Sequence, residues 1–202
     1  MRNVTIPFLV MSLLSLSACQ TSSLSDAENA PLPATDTPFS GTVREIDRTQ
    51  SVISFTGKSN IINHEGKFNQ YTAAVTLDSL EPANLEKASV TAELDMNSIT
   101  VDAAGLQDHL KKDDFFAVAT YPVATFESTG IVKKEGNLYG ITGDLTVKGV
   151  TKMVTIDAEI TDDYLSAQYD FPRAEFGVGN DAYGEKLLEP VVPVNVKLVF
   201  LK

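Results

Sequence analysis

Tryptophan is absent from the 202 residues, cysteine occurs once and histidine twice. A single cysteine excludes an intramolecular disulfide. His64 and His109 stand at no metal-ligand spacing, so a zinc-type pair is excluded as well. No nucleophile sits in a catalytic motif and no Gly-rich phosphate loop occurs, which points away from an enzyme and from a bound cofactor. His109, close to Asp113 on a polar stretch, reads as a structural hydrogen-bonding group. Positive charge is scarce: 16 Lys and Arg face 27 Asp and Glu, a net charge of −11. Nucleic acid and anionic headgroups are poor partners for such a surface.

Long apolar runs are also rare. One occupies residues 6–16 behind the lone positive charge of Arg2 and is followed by small residues. It is too short and too weakly flanked for a transmembrane anchor, so residues 1–18 are expected to be a secretory signal. Leu16, Ser17, Ala18 and Cys19 resemble a bacterial lipobox, which makes Cys19 the expected lipidation site and the lipid an N-terminal membrane anchor. Gln20, standing where an aspartate would favour retention at the inner membrane, directs the expectation to the outer membrane, facing the periplasm. Residues 19–43, rich in Ser, Thr, Ala and Pro, read as a disordered tether with nothing to bury. Residues 44–202 are one domain's worth of chain, long enough for a full core.

Alternation with period two dominates that domain and means strands. Val90, Ala92, Leu94 and Met96 share one face, and Thr91, Glu93, Asp95 and Asn97 the other. Tyr139, Ile141, Leu145 and Val147 alternate in the same way, as do Val154, Ile156, Ala158 and Ile160, and Val192, Val194, Val196, Leu198 and Phe200. Further strands are expected at 51–57, 68–78, 122–132 and 164–171. That makes about eight antiparallel strands, with turns at 134–137 and 148–149. One short helix is expected over 102–112, with Asp102 as its N-cap and Leu106 and Leu110 on one face. Phe115 and Phe116 follow where the chain turns back to the sheet. Arg173 and Glu175 read as a cross-strand ion pair. Such strands close into a barrel or a two-sheet sandwich, and alternation alone does not say which face is inside. Small residues on the apolar face (Gly57, Ala73, Ala92 and Gly143) leave room for a lumen.

Several motifs resemble the YceI-like family of periplasmic polyisoprenoid-binding proteins. They are Ser51, Ile53 and Phe55; Gly66, Phe68 and Asp78; Asn97 to Thr100; Asp108, His109 and Leu110; Asp113 to Phe116; and Tyr121, Pro122, Phe126 and Ser128. The run GDLTVKGVT at 143–151, with Arg173, Glu175, Phe176 and Gly177, completes them. The resemblance implies an all-β fold, an extended antiparallel eight-stranded lipocalin-like barrel with one short helix. It implies a lumen that holds an isoprenoid lipid or quinone. The lining is then expected to include Ile53, Phe55, Tyr71, Val75, Leu94, Met96 and Leu110. Phe115, Phe116, Phe126, Ile141, Leu145, Ile156 and Val194 complete it. The function expected is a lipid-anchored periplasmic protein that sequesters or carries a long isoprenoid. The alternatives are a structural or stress-related lipoprotein with a solid core, and a cofactor-free enzyme acting on an isoprenoid head.

Overall fold

Alternation assigns residues to two faces without saying which face is covered. The computed structural model, which describes residues 41–103, 105–180 and 187–202, turns the apolar faces inward. On the strand Val150–Ile160, Met153, Thr155, Asp157 and Glu159 are exposed, while Ala158 and Ile160 are buried. The leader, Cys19 and all but the last residues of the tether lie outside the described residues.

Among the described residues, eleven strands form one antiparallel sheet: β1 (Val43–Arg44), β2 (Val52–Lys58), β3 (Asn63–Phe68), β4 (Tyr71–Thr76), β5 (Ser89–Asp95) and β6 (Ile99–Val101), then β7 (Val123–Lys133), β8 (Leu138–Val147), β9 (Val150–Ile160), β10 (Tyr164–Pro172) and β11 (Val191–Val199). Their order across the sheet is β1-β4-β5-β7-β8-β9-β10-β11-β2-β3-β6. The expected number was eight, and the excess has a physical cause. Three long stretches are each interrupted, and both halves of each keep the same neighbouring stretch: β1 and β2 pair with β4 and β3, which pair in turn with β5 and β6.

Side chains make each interruption. After β1, Asp47 accepts hydrogen bonds from Thr49 N, Thr49 Oγ1 and Gln50 Nε2 at 2.9, 2.6 and 2.6 Å, closing an Asx-type turn. Between β5 and β6, Asp95 Oδ1 accepts from Asn97 N at 2.8 Å at the start of a 3₁₀ turn, Met96–Ser98. Across from it, Asn69 donates to Ser98 O at 2.7 Å, bending the chain between β3 and β4. Ile46 bridges to Phe200, with Asp47 N donating to Val199 O and Leu201 N to Glu45 O, both at 2.8 Å. The sheet therefore curls back along the end of β11.

Turn chemistry follows the sequence. Lys148 and Gly149 take φ of 51° and 74°, the left-handed pair that a two-residue hairpin with the right twist requires. Close packing explains two glycines. A Cβ on Gly66 would stand 2.2 Å from Phe55 Cζ, and one on Gly143 would stand 2.4 Å from Glu127 O and 2.8 Å from Phe126 Cζ. Gly143 thus admits a ring and a neighbouring strand; it does not leave lumen space, contrary to the expectation.

The helix is shorter than expected. α1 spans Leu106–Leu110, and Gly105, with φ of 84°, precedes it as N-cap without a side-chain bond. Asp102 instead closes the edge of β3: Glu65 N donates to its Oδ2 at 3.1 Å, and His64 Nδ1 lies 2.8 Å from its Oδ1. His109 Nε2 meets Asp114 Oδ2 at 2.9 Å, and its ring stands edge-on to Phe115 at 4.9 Å.

Candidate functional site

Inside the curl the strands enclose an apolar cavity of about 470 Å³. Every strand except β1 and β4 contributes to it, because period two sends each second residue inward. Ile53 and Phe55 face it from β2, Leu94 from β5, Phe126 from β7, Ile141 and Leu145 from β8, Ile156 from β9 and Val194 from β11. Met96 reaches it from the 3₁₀ turn and Leu110 from α1. Phe115 and Phe116 both border it as well. They manage this from adjacent positions because the chain reverses there. Phe116 N donates to Leu110 O at 3.1 Å, and Ala117, at φ 47°, turns the backbone away.

Two expected residues are not brought to it. Tyr71 and Val75 lie on β4 in register with Leu94 and Val90. They are 7% and 1% exposed, so they are core, but they do not border the cavity. Arg48 stacks over the Tyr71 ring at 4.8 Å and donates to its carbonyl, which places Tyr71 against the turn that follows β1. Val75 sits opposite Arg44 of β1. Period two names the face; it does not say which strand borders the cavity, and β4 lies one strand beyond β5, whose Val90 and Leu94 line it.

Other lining residues went unnamed. Leu165, Ala167, Tyr169 and Phe171 of β10 border the cavity in strict alternation, a signal present in the sequence LSAQYDF. The segment Leu187 to Glu189 also borders it, as do Lys58, Ile61 and Ile62 around the β2–β3 turn. A pair of isoleucines in an otherwise polar turn was the signal for the last group.

Polar groups touch the chamber sparingly, and the buried Arg173 is engaged elsewhere. Arg173 is 5% exposed, and its guanidinium donates to backbone carbonyls: Glu189 O at 2.8 Å, Val178 O at 3.0 Å, Gly179 O at 2.7 Å and Leu188 O at 3.0 Å. The expected Arg173–Glu175 pair therefore does not form. Residues Arg173–Phe176 make a 3₁₀ turn, which separates side chains two apart, and Glu175 meets Lys152 Nζ at 2.7 Å. Burial pushes the Tyr169 phenol up from its ordinary value, with the Glu175 charge adding to it, so the ring stands neutral in the wall. At the rim, the Glu65 amide and then the His64 ring hold the Asp102 carboxyl below its usual range.

Such an interior offers hydrocarbon contact and almost no hydrogen bonding. A polar ligand would lose its water without replacement. A volume of about 470 Å³ lies within the ~300–1,000 Å³ typical of small-molecule sites. An apolar chain gains up to roughly 0.8 kcal/mol per carbon buried there, or about 4 kcal/mol per five-carbon unit.

Comparison with known proteins places this architecture. The YceI-like domain matches residues 45–200. A UPF0312 protein of Pectobacterium carotovorum is 40% identical over 119 residues, 59% of this chain and 57% of its own length. A UPF0312 protein of Yersinia pestis is 37% identical over 119 residues, 59% of this chain and 52% of its own length. The chain thus spans little more than half the length of these curated relatives. Among solved structures, BcnA of Burkholderia cenocepacia superposes with a TM-score of 0.72 at 26% identity, covering 78% of this chain and 100% of that one. A polyisoprenoid binding domain of Saccharophagus degradans shares the fold, with a TM-score of 0.56 at 16% identity over 78% of this chain and 97% of that one. With a family match running from the first strands to the end of the last, the chain belongs to the YceI-like domain family.

Proposed function

We propose that this protein is a lipid-anchored periplasmic binding protein that sequesters or carries a long-chain isoprenoid, a quinone or polyprenyl lipid, in its central cavity. The observation that supports this is the cavity itself: a space of about 470 Å³ whose lining is almost wholly hydrocarbon. A domain acting only through its surface has no use for such a void. Unfilled space of this kind forfeits contacts that a packed core would make. The likeness to a polyisoprenoid binding domain supports the ligand class. Attachment through a lipid on Cys19 rests on the lipobox-like motif, and residence at the outer membrane on Gln20 after it.

Headgroup chemistry favours a neutral end. Of Lys58, Lys111 and Lys112, Lys58 borders the cavity and the other two do not. Arg173 is turned to carbonyls. A diphosphate in a protein of net charge −11 would need more local cations than these, so a quinone-like head fits better. The role is binding, without turnover of the lipid.

Purification without detergent, solvent extraction and mass spectrometry test this reading. The expected result is an isoprenoid species near one per chain. Folded protein that yields no lipid from a membrane-containing source would refute it.

A further inference from the structure

The rim of the chamber carries more exposed apolar surface than holding a ligand requires. Ile61 is 81% exposed and Ile62 58%, adjacent residues in the turn between β2 and β3, and both border the cavity. Among the described residues, the other exposed side chains on its border are Lys58 and Glu189, at this same end and opposite in charge. Glu189 N donates to Lys58 O at 3.0 Å, and Asn60 N to Leu187 O at 3.1 Å, which ties the two rim segments together. The open end of the cavity therefore lies at this turn.

Three of the turn's backbone groups are satisfied from within. Ser59 Oγ donates to Ile62 O at 2.6 Å and accepts from Ile61 N at 3.3 Å and Ile62 N at 3.0 Å. One hydroxyl thereby uses its donor and both acceptor positions. Peptide groups paired in this way do not need water, and that is the condition for backbone to enter hydrocarbon. By contrast, Met153 and Val132, also well exposed, do not border the cavity.

We infer that the turn at 59–62 is a membrane-docking tip. It sets Ile61 and Ile62 into the hydrocarbon edge of a lipid bilayer and holds the open end of the chamber against it. An isoprenoid chain then moves between bilayer and cavity without crossing water. This inference rests on the isoprenoid-binding reading above. A bilayer is the occupant chosen because the exposed pair and the cavity behind it are continuous and call for the same apolar medium. The two exposed rim charges among the described residues are opposite in sign, while the whole chain carries −11, so contact is apolar and favours neutral over anionic lipid.

The absence of tryptophan makes the test direct. Ile61→Trp and, as control, Met153→Trp are made in the full chain and mixed with phosphatidylcholine vesicles whose acyl chains are brominated. The indole at position 61 should shift to the blue and be quenched, insensitively to salt, and the one at 153 should do neither. The double variant Ile61→Asn, Ile62→Asn should melt like the parent but take up a quinone from vesicles about tenfold more slowly, since two large side chains no longer insert. Ser59→Ala should weaken quenching by unpairing three backbone groups. No shift at position 61, or equal shifts at both positions, overturns the docking tip. If the parent still yields lipid in that case, the binding reading stands and loading runs by another route. A shift at 61 with no lipid ever recovered supports docking and removes the carrier.

Discussion

Replacing Leu145 with tryptophan separates a chamber from a solid core. Leu145 sits near the end of β8, between Phe126 and Lys152 on the flanking strands, and borders the cavity. An indole exceeds an isobutyl group by about the volume of two waters, or roughly 60 Å³ at ~30 Å³ each. Against a cavity of about 470 Å³ that is a modest fraction, so the empty domain should melt within about 2 °C of the parent. In a filled core the same change costs about 1–3 kcal/mol. For a domain of this size that lowers the melting temperature by roughly 3–10 °C. The ligand, by contrast, loses room for about two methylenes, near 1.6 kcal/mol or more than tenfold in affinity. Delipidated protein is used for the melts, because bound lipid stabilises by mass action. Lipid per chain is then measured after reloading. The outward control is Thr146→Trp, at a residue whose hydroxyl lies 2.8 Å from that of Thr151 on the sheet's outer surface; it should bind like the parent. A large fall in melting temperature for Leu145→Trp, with no lipid recovered from the parent, refutes the chamber.

Gly143→Ala should destabilise by about 1–3 kcal/mol or more, because the new methyl meets backbone atoms of β7 at 2.4 and 2.7 Å; Gly57→Ala, with His64 O at 3.8 Å as the nearest contact, should be neutral, and chemical denaturation compares them. Asp47 titrates at about 2 in place of the ordinary 3.8, chiefly because Thr49 and Gln50 donate to it. The folded value is depressed, so its contribution to stability is complete above about pH 4 and lost as pH falls through 2. Asp47→Asn should flatten that part of the melting-temperature profile, and an NMR titration midpoint near 4 for the parent carboxyl would contradict the turn geometry. Cys19→Ala should release the protein from membranes or stall its processing, and the intact mass of the mature N-terminus decides whether a lipid is attached. Deleting residues 24–38 should leave the melting temperature within a degree or two; a larger drop would move the domain boundary at 43–44.

What was legible in the sequence was the set of faces. Alternation assigned Val90, Ala92, Leu94 and Met96, and Val192, Val194, Val196 and Leu198, to one side, and all of these border the cavity. Alternation falls short wherever a strand's inward positions are not apolar. On β3 these are His64, Gly66 and Phe68, so the strand showed no period and the expected element began only at 68. Sequence likewise falls short where a polar side chain has two possible partners. Asp102, four residues before the helix, has the profile of a cap, but the rim of β3 offers it both an amide and an imidazole.

The cavity itself was only half legible, and the two inward glycines show why. Gly57 and Gly143 look alike in sequence, each an absent side chain on an apolar face. In the structure one opens onto the chamber and the other is filled by the Phe126 ring and the backbone of β7. Missing volume becomes empty space only when no neighbour is large enough to claim it, and the neighbour across a sheet is set by register. The bulge between Ser128 and Gly130 decides that register for β7 and β8, with Ser128 Oγ accepting from Val90 N at 2.8 Å to hold it. A shift of one residue in that pairing would exchange the faces of an entire strand. The chamber therefore depends on pairing between distant segments as much as on the small residues along its walls.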